Sequence, residues 1–246
     1  MSGHSKWATI KHAKGAADAK RGQMFTKLIK EISIAARMGG GSPESNPRLR
    51  TAILKARGAN MPKDNIDRAI KKGTGELEGV NYEELIYEAY ANGGVAVFIE
   101  VLTDNKNRAA ADIRNILTRA GGQLATSGSV SRLFKRLGVI TLDGERYTED
   151  AVMEAALEGG AEDISASDGI IEVTSAPDDF ESVMNVLQAK NFETMSAEIS
   201  MVPEAEVSLD NDATAKVLKL VDKLEENDDV QNVYTNINIP EGFEGE

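Results

Sequence analysis

The chain has 246 residues, 41% of them hydrophobic, with no cysteine and a formal net charge of −12. A disulfide framework, a thiolate metal site and a cysteine nucleophile are therefore excluded, and no run approaches the roughly 18 apolar residues of a membrane-spanning helix. The N-terminus lacks the apolar core of a signal peptide, so a soluble, cytoplasmic protein with no membrane partner is expected, long enough for two or three domains.

The net charge conceals a split. Residues 1–75 carry 16 Lys/Arg against 5 Asp/Glu, and residues 76–246 carry 12 against 35. A basic block in an acidic protein points to a polyanion partner, because each cation brought to a phosphate releases a condensed counterion. Taken in chain order, residues 1–21 show almost no apolar periodicity and hold His4, Lys6, Trp7, Lys11, His12, Lys14, Lys20 and Arg21. This composition predicts a basic, flexible arm that follows a phosphate backbone, with Trp7 either stacking on a base or docking on the protein.

From Gln23 to Arg37 the residues Phe25, Leu28, Ile29, Ile32 and Ala36 recur at helical spacing, leaving Lys27, Lys30 and Arg37 on the wet side. Gly39-Gly40-Gly41 ends that helix, and Asn46-Pro47 supplies a cap and a first-turn proline for a second. The second helix buries Leu49, Ala52, Ile53 and Ala56 and turns Arg48, Arg50, Lys55 and Arg57 outward. Pro62 opens a third through Ile66, Ala69 and Ile70 to Lys71, Lys72 and a terminating Gly73. The prediction for residues 22–78 is a small helical bundle with a basic exterior.

The periodicity then changes. Tyr82–Tyr90 and Val95–Leu102 read as strands joined through Asn92-Gly93-Gly94, followed by a helix over Asn107–Arg119 and a strand near Val130–Phe134. Thr103-Asp104-Asn105 supplies caps for that helix, and Lys106 and Arg108 beside its N-terminus suggest a phosphate contact. Thr126-Ser127-Gly128-Ser129 is either an anion cradle or a plain turn. Residues 137–203 follow the order βαββαβ, the ferredoxin-like arrangement. The last strand, helix and strand lack partners of their own. They are expected to complete the sheet begun at residue 79, giving a discontinuous α/β domain of 79–136 plus 204–240 with the acidic 137–203 unit inserted. The carboxylates Glu225-Glu226 and Asp228-Asp229 are either a solvated helix end or an acidic rim that holds the basic bundle.

Catalytic constellations are thin, since both histidines fall on the arm and the abundant carboxylates show no tuned pairing. No enzyme activity, cofactor or metal is expected. Against this background Gly3-His4-Ser5-Lys6-Trp7-Ala8-Thr9-Ile10-Lys11-His12, Asp18-Ala19-Lys20-Arg21-Gly22, Phe25-Thr26-Lys27-Leu28-Ile29, Asn46-Pro47-Arg48-Leu49-Arg50, Asn60-Met61-Pro62-Lys63-Asp64-Asn65-Ile66 and Thr103-Asp104-Asn105 closely resemble the YebC/PmpR family of bacterial regulators. A mitochondrial translational activator is a relative. The resemblance implies an α+β protein of three domains, one helical beside two α/β sandwiches around a cleft. It also implies a regulatory role, through DNA or in association with ribosomes.

The combined expectation is a nucleic-acid-binding regulator of gene expression. The predicted contacts are Lys6, Trp7, Lys11, His12, Lys14, Lys20, Arg21, Lys27, Lys30, Arg48, Arg50, Lys55, Lys71, Lys72, Lys106 and Arg108. Ribosomal RNA is favoured over duplex DNA, because lysine-rich contacts position a backbone and do not read base edges. A small-molecule-responsive module, with a ligand between the sandwiches, is the alternative from another class.

Overall fold

The computed structural model describes residues 18–240 and 243, with side chains from residue 21 onward. Three helices open it: α1 (Asp18–Gly39), α2 (Pro47–Gly58) and α3 (Lys63–Thr74). Helix α1 starts earlier than its apolar stripe, which places Arg21 on a helix and not on an arm. Ile32, Ala35 and Ala36 of α1 pack on Leu49, Ala52, Ile53 and Ala56 of α2 and on Ile66 and Ala69 of α3, as the spacing predicts.

One side chain serves two helix ends. The Asn46 amide oxygen accepts the Leu49 N–H at 3.1 Å, capping α2, while its NH2 group donates to the Ala35 and Gly40 carbonyls at 2.8 Å each, closing α1. Helix α3 ends at Gly75, with φ 84°, and not at the predicted Gly73. Gly73 is required for a different reason: a Cβ there would lie 2.3 Å from the Ser33 carbonyl oxygen, so α1 and α3 approach too closely for any side chain.

The chain then forms β1 (Glu83–Tyr90) and β2 (Ala96–Thr103), antiparallel and joined by a single 3-10 turn over Asn92–Gly94. Helix α4 (Lys106–Arg119) and the short β3 (Gln123–Leu124) follow, and β3 pairs with β1. The strand predicted near Val130–Phe134 is absent, and Ser131–Leu133 form a 3-10 turn instead. The reason is Glu88. Its carboxylate accepts the N–H groups of Gly128, Val130 and Ser131 at 2.7, 2.5 and 3.0 Å, so these amides are satisfied by a side chain and not by a sheet ladder. Burial pushes the Glu88 carboxyl up, but these N–H donors outweigh it and hold it below the usual carboxylate range. The 126–129 turn is thereby a turn around an internal carboxylate, not a phosphate cradle. Glu88→Ala strands the buried Val130 N–H, a cost of about 1–3 kcal/mol. Hydrogen exchange by mass spectrometry should show the 126–131 segment losing protection before its neighbours.

From β4 (Phe134–Asp143) the chain runs through α5 (Glu149–Gly159), β5 (Ala161–Ser167), β6 (Ile170–Ser175), α6 (Phe180–Ala189) and β7 (Thr194–Pro203). These strands form one antiparallel sheet of order β5-β6-β4-β7, the ferredoxin-like topology, over a core of Ile140, Leu142, Val152, Ile171, Val173, Val183 and Leu187. Asp168 and Gly169, with φ 52° and 76°, make the two-residue hairpin turn between β5 and β6.

The chain returns through β8 (Val207–Ser208), α7 (Asn211–Glu225), β9 (Val230–Thr235) and β10 (Ile237–Asn238). Strand β9 pairs antiparallel with β2, giving the order β3-β1-β2-β9, and α4 and α7 cover one face around Ile99, Ile113, Leu117, Val221 and Leu224. The fold is therefore α+β: a helical bundle and two α/β sandwiches, one ferredoxin-like and inserted into the other. The sandwiches meet through Phe98, Phe134 and Tyr234, with Met201 against them. This topology has a consequence for fragments. Residues 134–203 alone should give dispersed amide NMR signals, whereas 76–136 alone should not, because β9 and α7 are missing from its sheet.

Candidate nucleic-acid interface

The sixteen predicted contacts separate into three groups. Lys6, Trp7, Lys11, His12, Lys14 and the Lys20 side chain lie outside the described residues. A second group is paired with the protein's own acids and carbonyls.

Lys30 belongs to this group and is 7% exposed, not wet. Its ammonium donates to Asp229 Oδ1 at 2.9 Å, to the Asp228 carbonyl at 2.8 Å and to the Leu102 carbonyl at 3.3 Å, and sits 5.5 Å from the Tyr82 ring centroid. Arg108 reaches the same carboxylate, Nη2 to Asp229 Oδ2 at 2.8 Å, and Asp104 Oδ1 at 2.7 Å. Lys27 donates to the Glu225 carbonyl at 2.6 Å, and the Gln23 amide donates to the Glu226 carbonyl. Cations from α1 thus meet the carbonyl end of α7, where the helix dipole is negative. The Asp229 carboxylate and the carbonyls of Glu225, Glu226 and Asp228 hold the helical domain, while the Glu226 and Asp228 side chains are solvated, so each of the two readings their sequence allowed is met in part. Lys106 pairs with Glu83 at 2.6 Å, so both cations at the start of α4 are met by carboxylates. Thr103 and Asn105 act as caps, Asn105 Oδ1 accepting the Arg108 N–H at 3.0 Å.

Three residues of α2 also face acids. Arg48 bonds Glu31 Oε1 at 2.7 Å and Glu84 Oε1 at 2.5 Å, Arg50 bonds Glu181 Oε2 at 2.6 Å, and Lys55 bonds Glu198 Oε2 at 3.0 Å.

The third group faces solvent. Lys71 and Lys72 are exposed at the end of α3, as is Arg21 on α1. Around the two lysines stand Arg57, Lys63 and Arg68, also exposed, and none of these five has a carboxylate within ion-pair distance among the described residues. Two grooves flank α3. One of about 370 Å³ has Ile53, Ile66 and Ile70 on its floor and Arg57, Lys63 and Lys71 at its rim, together with the acids Asp67 and Glu76. The other, of about 180 Å³, is lined by Ile29, Asn65, Arg68, Ala69 and Lys72. Lys63 and Arg68 escape a reading of the sequence because they share α3 with Asp64 and Asp67, which makes the helix look charge-balanced along the chain. A helical wheel places Lys63 and Arg68, together with Asp64 and Asp67, on the face opposite the buried Ile66 and Ala69.

Comparison with known proteins matches residues 5–76 to the TACO1/YebC protein N-terminal domain and residues 82–237 to the TACO1/YebC second and third domain. The chain belongs to the TACO1/YebC family. A TACO1/YebC relative from Treponema denticola, named a probable transcriptional regulatory protein, is 70% identical over 99% of each chain. Another with the same name, from Trichlorobacter lovleyi, is 56% identical over 97% of this chain and 96% of its own. The crystal structure of a conserved hypothetical protein from Aquifex aeolicus superposes with a TM-score of 0.82 at 47% identity, covering 91% of this chain and 93% of that one. Among the described residues of this TACO1/YebC chain, no group of three or more His, Cys, Asp or Glu is placed to hold a metal ion. No helix there is long and apolar enough to cross a membrane.

Proposed function

We propose that this protein is a nucleic-acid-binding regulator of gene expression whose contact surface is the solvent face of α3 and the end of α2. The observation that carries this reading is the strip of Arg57, Lys63, Arg68, Lys71 and Lys72, exposed and without carboxylate partners among the described residues, on a protein of net charge −12. A protein this acidic repels polyanions over most of its surface, so an unpaired cationic strip fixes which face approaches them. The two grooves favour RNA. An apolar floor between cations suits an unstacked base beside its phosphates, a feature of loops and bulges more than of a duplex. Three of the five are also lysines, point charges that position a backbone and do not read base edges in the way a bidentate side chain does.

The favoured role is therefore association with structured RNA, the ribosome being the richest source of such surfaces. A DNA-directed role is the second reading, supported by the name probable transcriptional regulatory protein that the relatives carry. Sucrose-gradient sedimentation of lysate separates the two. At low salt the protein should travel with ribosomes, be released as salt rises, and be weakened by removal of residues 1–17 with their three lysines. Absence from ribosomal fractions, together with a short duplex bound more than about a thousandfold over random DNA, would establish the DNA role instead.

A further inference from the structure

The ties between the helical domain and the rest of the molecule are of two kinds. Toward the discontinuous sandwich the tie is internal: the Lys30 and Asp229 side chains are 9% and 6% exposed. Toward the ferredoxin-like unit run the Arg50–Glu181 and Lys55–Glu198 pairs, with side chains 31% and 54%, and 43% and 33%, exposed. Solvent screens exposed pairs of this kind, and each contributes little to holding two bodies together.

Glu181 and Glu198 occupy on α2 the positions that phosphates would take on a bound polyanion. Arg50 presents its guanidinium to a carboxylate oxygen at 2.6 Å and Lys55 its ammonium at 3.0 Å, contacts that phosphate oxygens make equally well. A polyanion gains counterion release on replacing these carboxylates, and the exposed Glu181 regains hydration.

We propose that the α2 face carrying Arg50 and Lys55 is a latent second phosphate-binding surface, masked by Glu181 and Glu198 of the ferredoxin-like unit and uncovered when a nucleic-acid backbone displaces them. The proposal extends the nucleic-acid reading above. The exposed strip makes first contact, Arg57 at the end of α2 continues it toward Lys55 and Arg50, and engagement of that second stretch turns the acidic unit away from the backbone about its seam with the other sandwich at Phe98, Phe134 and Tyr234, which stays packed. Binding and opening are then one equilibrium, and removing the masking charge shifts it toward the open state.

The test uses the full chain and a short fluorescein-labelled mixed-sequence RNA at low salt. E181Q/E198Q should bind about three- to tenfold more tightly than E145Q/E154Q, which removes the same charge from exposed sites elsewhere on the ferredoxin-like unit. Because the chain has no cysteine, Met38→Cys and Leu157→Cys, at positions 65% and 53% exposed, allow a clean spin-label pair across the interface. The distance distribution should lengthen when wild-type protein is saturated with RNA, and lengthen without RNA in E181Q/E198Q. Equal affinity of the two glutamine variants while wild type binds would overturn the latch and leave the exposed strip standing. An unchanged spin-label distance on RNA saturation would overturn it as well. RNA binding by E181Q/E198Q but not by wild type would support the latch and remove the strip as the first contact, and binding by neither would remove both.

Discussion

Asp229→Ala should destabilise the protein by about 3 kcal/mol, because it leaves the Lys30 ammonium buried without its countercharge. The figure sits at the low end for a broken buried pair, since the Asp228 and Leu102 carbonyls still accept from Lys30. Adding Lys30→Met to Asp229→Ala should restore part of the loss by removing the stranded charge, which a double-mutant cycle in urea, followed by circular dichroism, measures directly. The same pair sets an acid limit. Burial pushes the Asp229 carboxyl up, but hydrogen bonds from Lys30 and Arg108 outweigh it and hold it below the ordinary aspartate value of about 3.9. A carboxylate whose folded pKa lies below its unfolded one contributes stability that is complete above the unfolded value and is lost as pH falls through the folded one. Docking of the helical domain should therefore hold at neutral and mildly acidic pH and weaken progressively below about pH 4. In Asp229→Asn that dependence should flatten.

Neutralising the exposed strip is expected to have the largest effect on binding. R57Q/R68Q with K63Q/K71Q/K72Q should weaken low-salt RNA binding by about a hundredfold or more, and each phosphate no longer neutralised should reduce the slope of log affinity against log salt by about 0.7 on a single strand. The melting temperature should barely move, because none of the five makes an ion pair among the described residues. Fluorescence anisotropy at three or four salt concentrations measures both quantities. An unchanged slope in the variant would place the phosphate-binding surface elsewhere in the molecule.

The helical core was legible in the sequence because its signal is local: Ile32, Leu49, Ala52, Ile66 and Ala69 recur at the period of a helix and meet one another. The βαββαβ order was legible for the same reason, and the orphaned C-terminal elements pointed to the discontinuous sheet. What local pattern could not give is which cations have partners. Lys30 lies off the apolar stripe of α1 and reads as solvated, yet its carboxylate partner stands 199 positions later in the chain. Arg50 and Lys55 meet acids 131 and 143 positions away. Glu88 escaped notice in the same manner, since a lone acid in a strand gives no hint that it will collect three amide protons some 40 positions downstream. Charge counted along a segment measures what a surface could attract. Only the folded arrangement determines how much of that charge has already been neutralised from within.

The return of β9 to the edge of β2 also imposes a timetable on the nascent chain. The helical domain is complete by Gly75, and the carbonyls and carboxylate that seat Lys27 and Lys30 belong to residues 225–229. At a synthesis rate of roughly 5–20 residues per second, about 8–30 s separate the two. During that interval β1 and β2 wait for their edge partner, and the cations of α1 have neither Asp229 nor the end of α7 to meet. Each new molecule spends that time as a tethered basic bundle beside the ribosome that is making it.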